Sequence, residues 1–312
     1  MQTVTSLEAL RLTQPACLTV GAFDGVHRGH QALIGELVRH AHATGRAAVV
    51  ITFYPHPSVF LRGRRPSFYL STPEEKAEHL RALGVDAVVT HTFDAAFAAI
   101  TAEDYVAQLV RQARLSELWC GEDFALGHNR VGNVAYLRAA GERLGFAVQV
   151  RTPVLEDGEI ISSTRIRQCL RDGAVEQAAR ALGRPFRLSG QVVAGAQRGR
   201  TLGIPTANLA ISEERAFPAT GVYACRAHWD GATPQSAVTN IGFRPTFNSS
   251  TPTLTVEAHL LDYSGDLYGR ELTLDFVARL RPEMKFPGVD ALVAQIRADI
   301  ATARRLLDTE AS

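Results

Sequence analysis

The sequence predicts an α/β protein in which a parallel β-sheet covered by helices is followed by a smaller antiparallel sheet or barrel. Three observations support this fold class. Apolar, β-branched runs alternate with helical patterns through the first half of the chain. After Arg184-Pro185 the runs become short and are separated by turn residues such as Asp230-Gly231 and Ser264-Gly265. A last amphipathic segment, at about 289–307, predicts a helix that packs on this second sheet.

The apolar runs of the first half are predicted as buried strands. They lie at 17–23, 47–54, 85–91, 117–124 and 146–150. Helical patterns lie between them, at 31–43, 73–83, 102–114 and 133–144. Because strands that alternate with helices pair in parallel, we expect the helices to cover both faces of one sheet. Thr72 and Pro73, followed by two acids, predict the start of the second of these helices.

Two more helical segments close the first half, at 163–173 and 174–183, and each ends at a glycine, a common helix stop. A chain of 312 residues is long for one hydrophobic core, so we expect two domains. We place their boundary where the helical pattern gives way to short strands, which makes domains of residues 1–183 and 184–312.

Charge and composition argue against several classes of function. Hydrophobic residues make up 46% and charged residues 21% of the chain, as in ordinary globular proteins, and the formal net charge is +1. Because there is no basic field, we expect no nucleic-acid partner. No run approaches the ~20 apolar residues of a membrane span, so we expect no membrane partner. The four scattered cysteines suggest neither a disulfide framework nor a zinc site, which predicts a reduced, cytoplasmic protein.

The segment FDGVHRGH, residues 23–30, follows a predicted strand and precedes a predicted helix. Ligands of parallel sheets bind at this edge, where strands end and helices begin. Gly21 and Gly29 allow the backbone to approach a ligand closely, and the helix start offers free N–H groups that suit phosphate. His27 and His30 can project to the same side and stabilise a phosphoryl group that gains negative charge. The alternative is a glycine-rich turn with two surface histidines.

A second candidate anion site opens a helix late in the same half, at ISSTRIR, residues 161–167. Its hydroxyls and arginines lie at a helix start, although an ordinary N-cap followed by a solvated basic turn is the alternative. HxGH early and ISSTxIR late resemble the nucleotidyltransferase superfamily, which moves AMP or CMP from a nucleoside triphosphate to a small acceptor. The resemblance implies a Rossmann-like first domain in which His27 and His30 are catalytic. It implies ATP or phosphate contacts at Gly21, Phe23, Asp24, Gly29, Ser163, Thr164 and Arg167.

Two further motifs of the first half resemble the adenylyltransferase half of the bacterial bifunctional riboflavin kinase/FAD synthetase family. They are TFYPHP, residues 52–57, and GEDFALGHNRVGN, residues 121–133. The two prolines of the first motif make a rigid aromatic loop that suits a flat ligand, and the second motif follows the next strand. Core packing is nearly as good an interpretation of the phenylalanine in the first motif. The predicted flavin contacts are Phe53, Pro55, His56, Asp123 and Phe124.

In the second half, the segment GRTLGIPTANL, residues 199–209, carries hard oxygen donors. It is not a Walker A loop, because no GKS or GKT is present. Thr206 and Asn208 face the same side of an extended segment, and their oxygens suit Mg²⁺ that carries ATP. Gly199 and Arg200 belong to a glycine-rich stretch that could fold over phosphates. The alternative is a barrel strand that starts after a polar loop, which leaves the PTAN run unexplained.

The alternating strand LTVEAHL, residues 254–260, places Glu257 on its polar side. A carboxylate there could accept a proton from an attacking hydroxyl, although a solvated strand glutamate is the default interpretation. GxPTAN, VEAHLLD, DLYG and LRPEMKF, in that order, closely resemble riboflavin kinase, whose fold is a six-stranded barrel followed by a helix. The resemblance implies a magnesium–ATP site at Thr206 and Asn208, Glu257 as general base, and flavin contacts near Arg281 and Phe286.

Both halves thus resemble enzymes of one pathway. The resemblance implies ATP-dependent phosphorylation of riboflavin to FMN, then adenylylation of FMN to FAD with release of pyrophosphate. It implies Mg²⁺ with ATP, and FMN and FAD as substrate and product rather than prosthetic groups. We expect a monomer or weak oligomer. Two alternatives stay open: a nucleotidyltransferase with another small acceptor, and a non-catalytic sensor that binds flavin or nucleotide.

Overall fold

The computed structural model describes residues 1–63, 68–195, 199, 203–244 and 253–309. The chain divides into two compact units. Unit 1 comprises Met1–Arg65 and Ser71–Ser163, and unit 2 comprises Pro66–Leu70 and Thr164–Ser312. The predicted fold class is confirmed, since unit 1 holds a parallel sheet and unit 2 a closed antiparallel barrel with a last helix. The domain boundary between 183 and 184 stays a prediction. It separates two predicted activities, whereas the two units are defined by contacts within the structure.

Unit 1 is built on a six-stranded parallel sheet. The described strands of unit 1, inside and outside this sheet, are β1 Gln2–Val4, β2 Ala16–Val20, β3 Ala47–Tyr54, β4 Ala87–Thr92, β5 Leu115–Gly121, β6 Ala125–Leu126, β7 Gly132–Asn133, β8 Ala147–Arg151, β9 Leu155–Glu156 and β10 Glu159–Ile160. The sheet order is β1-β4-β3-β2-β5-β8, while β6–β7 and β9–β10 form two small separate pairs. β2 is buried along its whole length, as expected for a strand covered on both faces.

α-Helices complete the described part of unit 1. They are α1 Arg28–Ala43, α2 Pro57–Arg62, α3 Pro73–Ala82, α4 Ala95–Ala98, α5 Ala102–Gln112 and α6 Val134–Leu144. Two hydrophobic clusters lie on opposite faces of the sheet, so neighbouring residues of one strand separate: Leu18 belongs to one cluster and Cys17 to the other. The sequence did not predict β1, α2 or α4. The predicted strand 17–23 ends early, at Val20, because a tight turn follows it.

The order of the strands brings three loops together. From β2 the chain continues to β3 and β4 on one side, whereas β5 and β8 lie on the other side of β2. This reversal makes a topological switch point beside β2, where ligands of open parallel sheets bind. The loops after β2, β3 and β5 all leave the carboxyl edge of the sheet at this point.

Unit 2 is a closed six-stranded barrel, as predicted, with the strand order β11-β12-β15-β14-β13-β16. Its elements are α7 Ser163–Arg171, which begins at the last residue of unit 1, α8 Val175–Leu182, β11 Phe186–Val193, β12 Ala207–Ala210, β13 Gly221–His228, β14 Gln235–Arg244, β15 Thr253–Leu260, β16 Glu271–Arg281 and α9 Val289–Thr309. The predicted turns at Asp230-Gly231 and Ser264-Gly265 connect β13 to β14 and β15 to β16. Ala303 and Leu307 of α9 pack on the barrel at Val222 and Ala224.

Two findings bear on the expectations from composition. Among the residues that the structure describes, no helix is long and apolar enough to cross a membrane. The four cysteines are all buried, and none of them forms a disulfide bond.

The start of α3 carries a complete capping box. The Thr72 hydroxyl accepts a hydrogen bond from the Glu75 backbone N–H (3.1 Å), and the Glu75 carboxylate accepts one from the Thr72 N–H (2.9 Å). This reciprocal pair satisfies two backbone donors that a helix start otherwise leaves unpaired.

We therefore expect Thr72→Ala to lower the free energy of unfolding of unit 1 by about 1 kcal/mol. The chain has one tryptophan in each unit, Trp119 and Trp229. Urea unfolding followed by Trp119 fluorescence, in a Trp229→Phe background, reports on unit 1. Thr72→Ser keeps the hydroxyl and is the control. An equal loss in both variants would show that the hydroxyl is not the source of the stability.

Candidate functional site

The turn between β2 and α1 has an unusual backbone. Phe23, Gly25 and Val26 adopt φ values of 47°, 77° and 40°. Glycine tolerates this left-handed region, but a β-branched valine or a phenylalanine does so only when surrounding contacts impose it. The turn is therefore held by its neighbours rather than by local preference.

Buried polar contacts hold this turn from outside. The Ser71 hydroxyl accepts from the Gly25 N–H (3.1 Å), and the Asp24 carboxylate accepts from the Ser71 N–H (3.2 Å). The Ser163 hydroxyl donates to the Asp24 carbonyl oxygen (2.9 Å). Asp24 and Ser163, both predicted to contact ATP, thus make bonds that shape the turn. Their contact with ATP stays a prediction.

The two histidines stack at the start of α1. His27 is the N-cap, with Nδ1 accepting from the His30 N–H (3.4 Å), and the two rings lie 3.5 Å apart and nearly parallel. The buried Phe23 ring meets His30 edge-on at 5.1 Å, so Phe23 supports the histidine by packing. A Cβ on Gly29 would lie 3.2 Å from the His27 ring and 3.6 Å from the Ile161 carbonyl oxygen. A side chain at position 29 would therefore press against the His27 ring, which glycine avoids.

His30 is arranged to stay neutral. Burial lowers the pKa of His30 well below its ordinary value, and the nearby His27 and Lys76 lower it further. Its Nδ1 is buried without a hydrogen-bond partner in the described part of the chain. A neutral imidazole carries one N–H donor and one acceptor, so it can donate to a phosphate oxygen.

A cavity of about 840 Å³ opens beside this turn. It brings together five of the predicted site residues, which come from the end of β3 and from the loops after β2, β3 and β5. They are Gly21, Phe53, His56, Asp123 and Phe124. Three other predicted site residues, Pro55, His27 and His30, are not among the described residues that line the cavity. Pro57, the first residue of α2, lines the wall in the region expected for Pro55.

Sequence reasoning missed much of the wall of this cavity. Phe53 packs against Phe93 and Phe97, with ring centroids 5.6 and 5.4 Å apart. Tyr105 also lines the cavity, burial raises its pKa, and its buried hydroxyl has no partner among the described residues. The two phenylalanines four apart in TFDAAFAA, residues 92–99, were the available signal. The wall is rich in aromatic rings and also carries polar side chains, as in many small-molecule sites.

The ISST segment lies at the division between the units. Ser163 belongs to unit 1, whereas Thr164 and Arg167 belong to unit 2. Within unit 2 the Arg167 guanidinium lies 3.9 Å over the Phe68 ring and donates to the Phe68 carbonyl oxygen (2.7 Å). The predicted contact of Thr164 and Arg167 with ATP phosphates stays a prediction.

The register of the barrel aligns three polar side chains. Glu257 of β15 is the direct partner of Asn208 on β12 and of Asn240 on β14. Because opposed residues in a ladder share one face of the sheet, the three form a row across neighbouring strands. Sequence reasoning missed Asn240. The asparagine within the apolar strand pattern SAVTNIG, residues 236–242, was the only local signal for this position.

Glycines make room around this row. A Cβ on Gly195 would lie 2.2 Å from the Asn208 amide nitrogen, and one on Gly199 would lie 2.3 Å from the Ile204 carbonyl oxygen. The described part of the glycine-rich stretch therefore lies directly against PTAN. Arg200 lies outside the described residues.

The oxygen donors of the PTAN segment fit Mg²⁺. Thr206 offers a hydroxyl and Asn208 an amide oxygen, both of them hard ligands, and Glu257 lies beside Asn208 in the row. Because Gly195 has no side chain, the Asn208 amide can occupy the space that a Cβ would fill.

A cavity of about 470 Å³ lies beside Thr206. Its wall continues through the β15–β16 connection, from Tyr263 to Tyr268, which contains DLYG. His259 Nδ1 bonds with the Pro205 carbonyl oxygen (2.7 Å) and so steadies the backbone before Thr206. The sequence motifs include DLYG, but no ligand contact was predicted for its residues.

Arg281 and Phe286, the predicted flavin contacts of unit 2, lie at the base of α9. The Arg281 guanidinium forms an ion pair with the Asp299 carboxylate (2.9 Å), in which the two side chains are only 13% and 6% exposed. It also lies 5.6 Å from the Phe286 ring. This buried pair anchors α9, and the contact of either residue with flavin stays a prediction.

One further cluster has metal-ligand chemistry. Ligand atoms of Cys17, His40 and Glu117 lie within 4.8 Å of one another in unit 1. The Glu117 carboxylate, however, already pairs with His40 (2.9 Å) and Arg46 (3.1 Å), and burial raises the pKa of the Cys17 thiol to about 11. The cluster is a satisfied polar network with a protonated thiol.

Together the two units define an enzyme of the transferase class with two nucleotide-using sites. Residues 10–165 match the family described as FAD synthetase, and residues 182–307 match the family described as riboflavin kinase. The chain belongs to the bifunctional riboflavin kinase/FMN adenylyltransferase family.

Relatives with that name match along nearly the whole chain. The Escherichia coli K12 protein is 40% identical over 93% of both chains, and the Haemophilus influenzae protein is 35% identical over 99% of this chain and 100% of its own. A solved chain from Streptococcus pneumoniae, described as a macrolide-efflux protein, has a TM-score of 0.89 at 30% identity and covers 97% of this chain and 98% of its own.

The neutral state of His30 makes a testable contribution to stability. Because folding lowers its pKa, the unfolded chain binds a proton below pH 6.5 that the folded chain does not. Stability is therefore lost as the pH falls below 6.5, by at most roughly 1.4 kcal/mol per pH unit for one proton. We expect His30→Gln to remove this part of the pH dependence of unfolding. An NMR titration in which the His30 imidazole gains its proton near pH 6.5 would contradict the assignment.

Proposed function

We propose that the chain catalyses both reactions of its family. Residues 184–312 phosphorylate riboflavin to FMN with ATP, and residues 1–183 adenylylate FMN to FAD with release of pyrophosphate. The observation that carries the proposal is the aromatic cavity beside the stacked histidines at the switch point of the sheet. A flat ligand in that cavity places its phosphate near a helix start that suits anions.

In the kinase reaction, Glu257 accepts the proton of the ribityl 5′-hydroxyl, whose oxygen attacks the γ-phosphorus of ATP in line. Thr206 and Asn208 would hold Mg²⁺ with ATP, and Asn240 lies beside Glu257 in the row. The metal, when bound, supplies neutralisation of the phosphate charge. The cavity at Thr206 and the 263–268 connection suits the nucleotide. Catalysis here is mostly positioning and electrostatics.

In the adenylyltransferase reaction, the phosphate of FMN attacks the α-phosphorus of ATP, and pyrophosphate leaves. The attacking phosphate is already an anion, so no general base is required. His27 and His30 bind the phosphates, with His30 as a neutral donor, and Ser163, Thr164 and Arg167 bind the leaving pyrophosphate.

The flavin ring occupies the cavity of unit 1 against Phe53 and Phe124. Tyr105, with a buried hydroxyl that has no described partner, and Asp123 offer the polar contacts. An aromatic wall recognises a planar heteroaromatic ring better than a flexible aliphatic acceptor. This wall favours FMN over the non-flavin acceptors of other nucleotidyltransferases.

We further propose that the protein acts in the cytoplasm as a monomer or weak oligomer, without a nucleic-acid or membrane partner. The absence of disulfide bonds among the four cysteines and the near-zero net charge support this proposal.

Chromatography of the flavins formed from riboflavin, ATP and Mg²⁺ tests the proposal. FMN that appears first and FAD that follows is the expected result. Pyrophosphate released with another small acceptor, but not with FMN, would favour a different nucleotidyltransferase. Flavin binding without consumption of ATP would favour the sensor.

We expect His30→Ala to lower the formation of FAD from FMN by about 10²-fold or more, because a phosphate donor is removed. The formation of FMN should stay within about twofold of the wild type. His42→Ala, which removes an exposed histidine of the same helix, is the matched control. Equal loss of both activities in a folded His30→Ala protein would contradict the role.

Glu257→Gln should have the opposite pattern. Loss of the proton acceptor is expected to lower FMN formation by ~10²–10⁴-fold and to leave the conversion of supplied FMN to FAD unchanged. Glu271→Gln, at an exposed position of β16, is the control. A Glu257→Gln kinase rate close to that of the wild type would exclude Glu257 as the base.

A further inference from the structure

Lys76 is a buried lysine that neither the motifs nor the mechanism uses. It lies on α3 and is 7% exposed. The chain has 33 lysines and arginines, and only Lys76 and Lys285 are lysines. A compact ammonium with three donors differs from the planar fork of arginine, so the residue type itself needs an explanation at this position.

The Lys76 ammonium makes three hydrogen bonds. Its Nζ donates to the Thr52 hydroxyl (2.9 Å), to the Ala22 carbonyl oxygen (3.1 Å) and to the Phe53 carbonyl oxygen (3.3 Å). The Thr52 hydroxyl in turn donates to the Ala22 carbonyl oxygen (2.9 Å). Three N–H donors thus meet three acceptors, a set that only the protonated amine can satisfy.

These acceptors belong to two different segments of the site. Ala22 begins the turn that carries the stacked histidines, and Phe53 lies near the end of β3, where the TFYPHP loop begins. Both residues also line the 840 Å³ cavity. One ammonium therefore connects the histidine turn to the aromatic wall.

We propose that Lys76 is a positioning residue for adenylyl transfer. Its hydrogen bonds connect the turn after β2 to the end of β3, so that the histidines and the aromatic wall of the unit 1 cavity keep one relative geometry. Lys76 acts through Ala22, Thr52 and Phe53. The inference deepens the proposed adenylyltransferase function and rests on it.

Burial and the nearby Asp24 set the charge of Lys76. Burial lowers its pKa to about 8, while Asp24 acts in the opposite direction. The positive charge also helps to keep His30 neutral, together with His27. Above pH 8 the neutral amine has two donors, so one of its three bonds is lost.

Activity and stability therefore respond to pH in opposite directions. Between pH 8 and pH 10.5 the unfolded chain keeps a proton on Lys76 that the folded chain has released, so this residue makes stability rise with pH. Adenylyl transfer needs the charged Lys76 ammonium, so it falls over the same range. A merely structural lysine would not produce this opposition.

The test compares Lys76→Met with Arg81→Met, which removes an exposed positive charge from the same helix. FMN and FAD formation are measured on the same preparations, and FMN formation reports on the integrity of the other site. We expect Lys76→Met to lower kcat for FAD formation by about 10²-fold, since small displacements of reacting groups have effects of this size. FMN formation, and both rates of Arg81→Met, should match the wild type.

Two further measurements do not depend on the folding of Lys76→Met. The wild-type kcat for FAD formation should fall above about pH 8 while the unfolding temperature does not fall with it. In Lys76→Ala, propylamine should restore FAD formation and 1-propanol should not, because only the amine replaces the ammonium.

A folded Lys76→Met protein with a FAD rate within about threefold of the wild type would overturn the inference, as would parallel loss of FMN formation. Equal rescue by propanol, or a wild-type rate that stays constant from pH 7.5 to 9.5, would overturn it too. A wild-type protein that forms no FAD from FMN and ATP would instead overturn the proposed adenylyltransferase, and this inference with it.

Discussion

The turn from β2 into α1 has to leave a fully buried strand and start a helix within a few residues, and the first site depends on how that turn is held. Its left-handed residues Phe23 and Val26 are locally unfavourable. The side-chain hydroxyls of Ser71 and Ser163 stabilise the turn through hydrogen bonds with its backbone. Because the contacts come from outside the turn, the geometry of the histidines is a property of the whole sheet edge.

Burial then sets the chemistry of the groups on that turn. His30 is desolvated and lies near two other basic groups, so its neutral form is favoured. Polar groups in such surroundings keep their orientation before a ligand arrives, which is the condition for effective electrostatic stabilisation of a developing charge. The phenylalanine rings of the cavity beside the turn add shape, and the charged side chains of Arg62, Asp123 and Arg130 also line that cavity.

In the barrel the corresponding constraint is strand register. Closure of six strands fixes which residues stand opposite one another, and a slip of one residue would move Glu257 to the other face. Asn208 and Asn240 flank the carboxylate for this reason alone. The buried Arg281–Asp299 pair holds α9 at the end of β16, and removal of one partner would leave an uncompensated buried charge.

The sequence by itself determined the alternation of the main strands and helices, the parallel and antiparallel halves, and the motifs that carry the histidines and the PTAN oxygens. Hydrophobic periodicity and turn chemistry are local properties and can be read from it. Only the tertiary structure decided that Lys76 donates to the Ala22 carbonyl oxygen, that Tyr105 lines the cavity of unit 1 and that Asn240 stands beside Glu257. These neighbours are distant in the chain. Their contacts follow from strand order, register and packing, which no local pattern encodes.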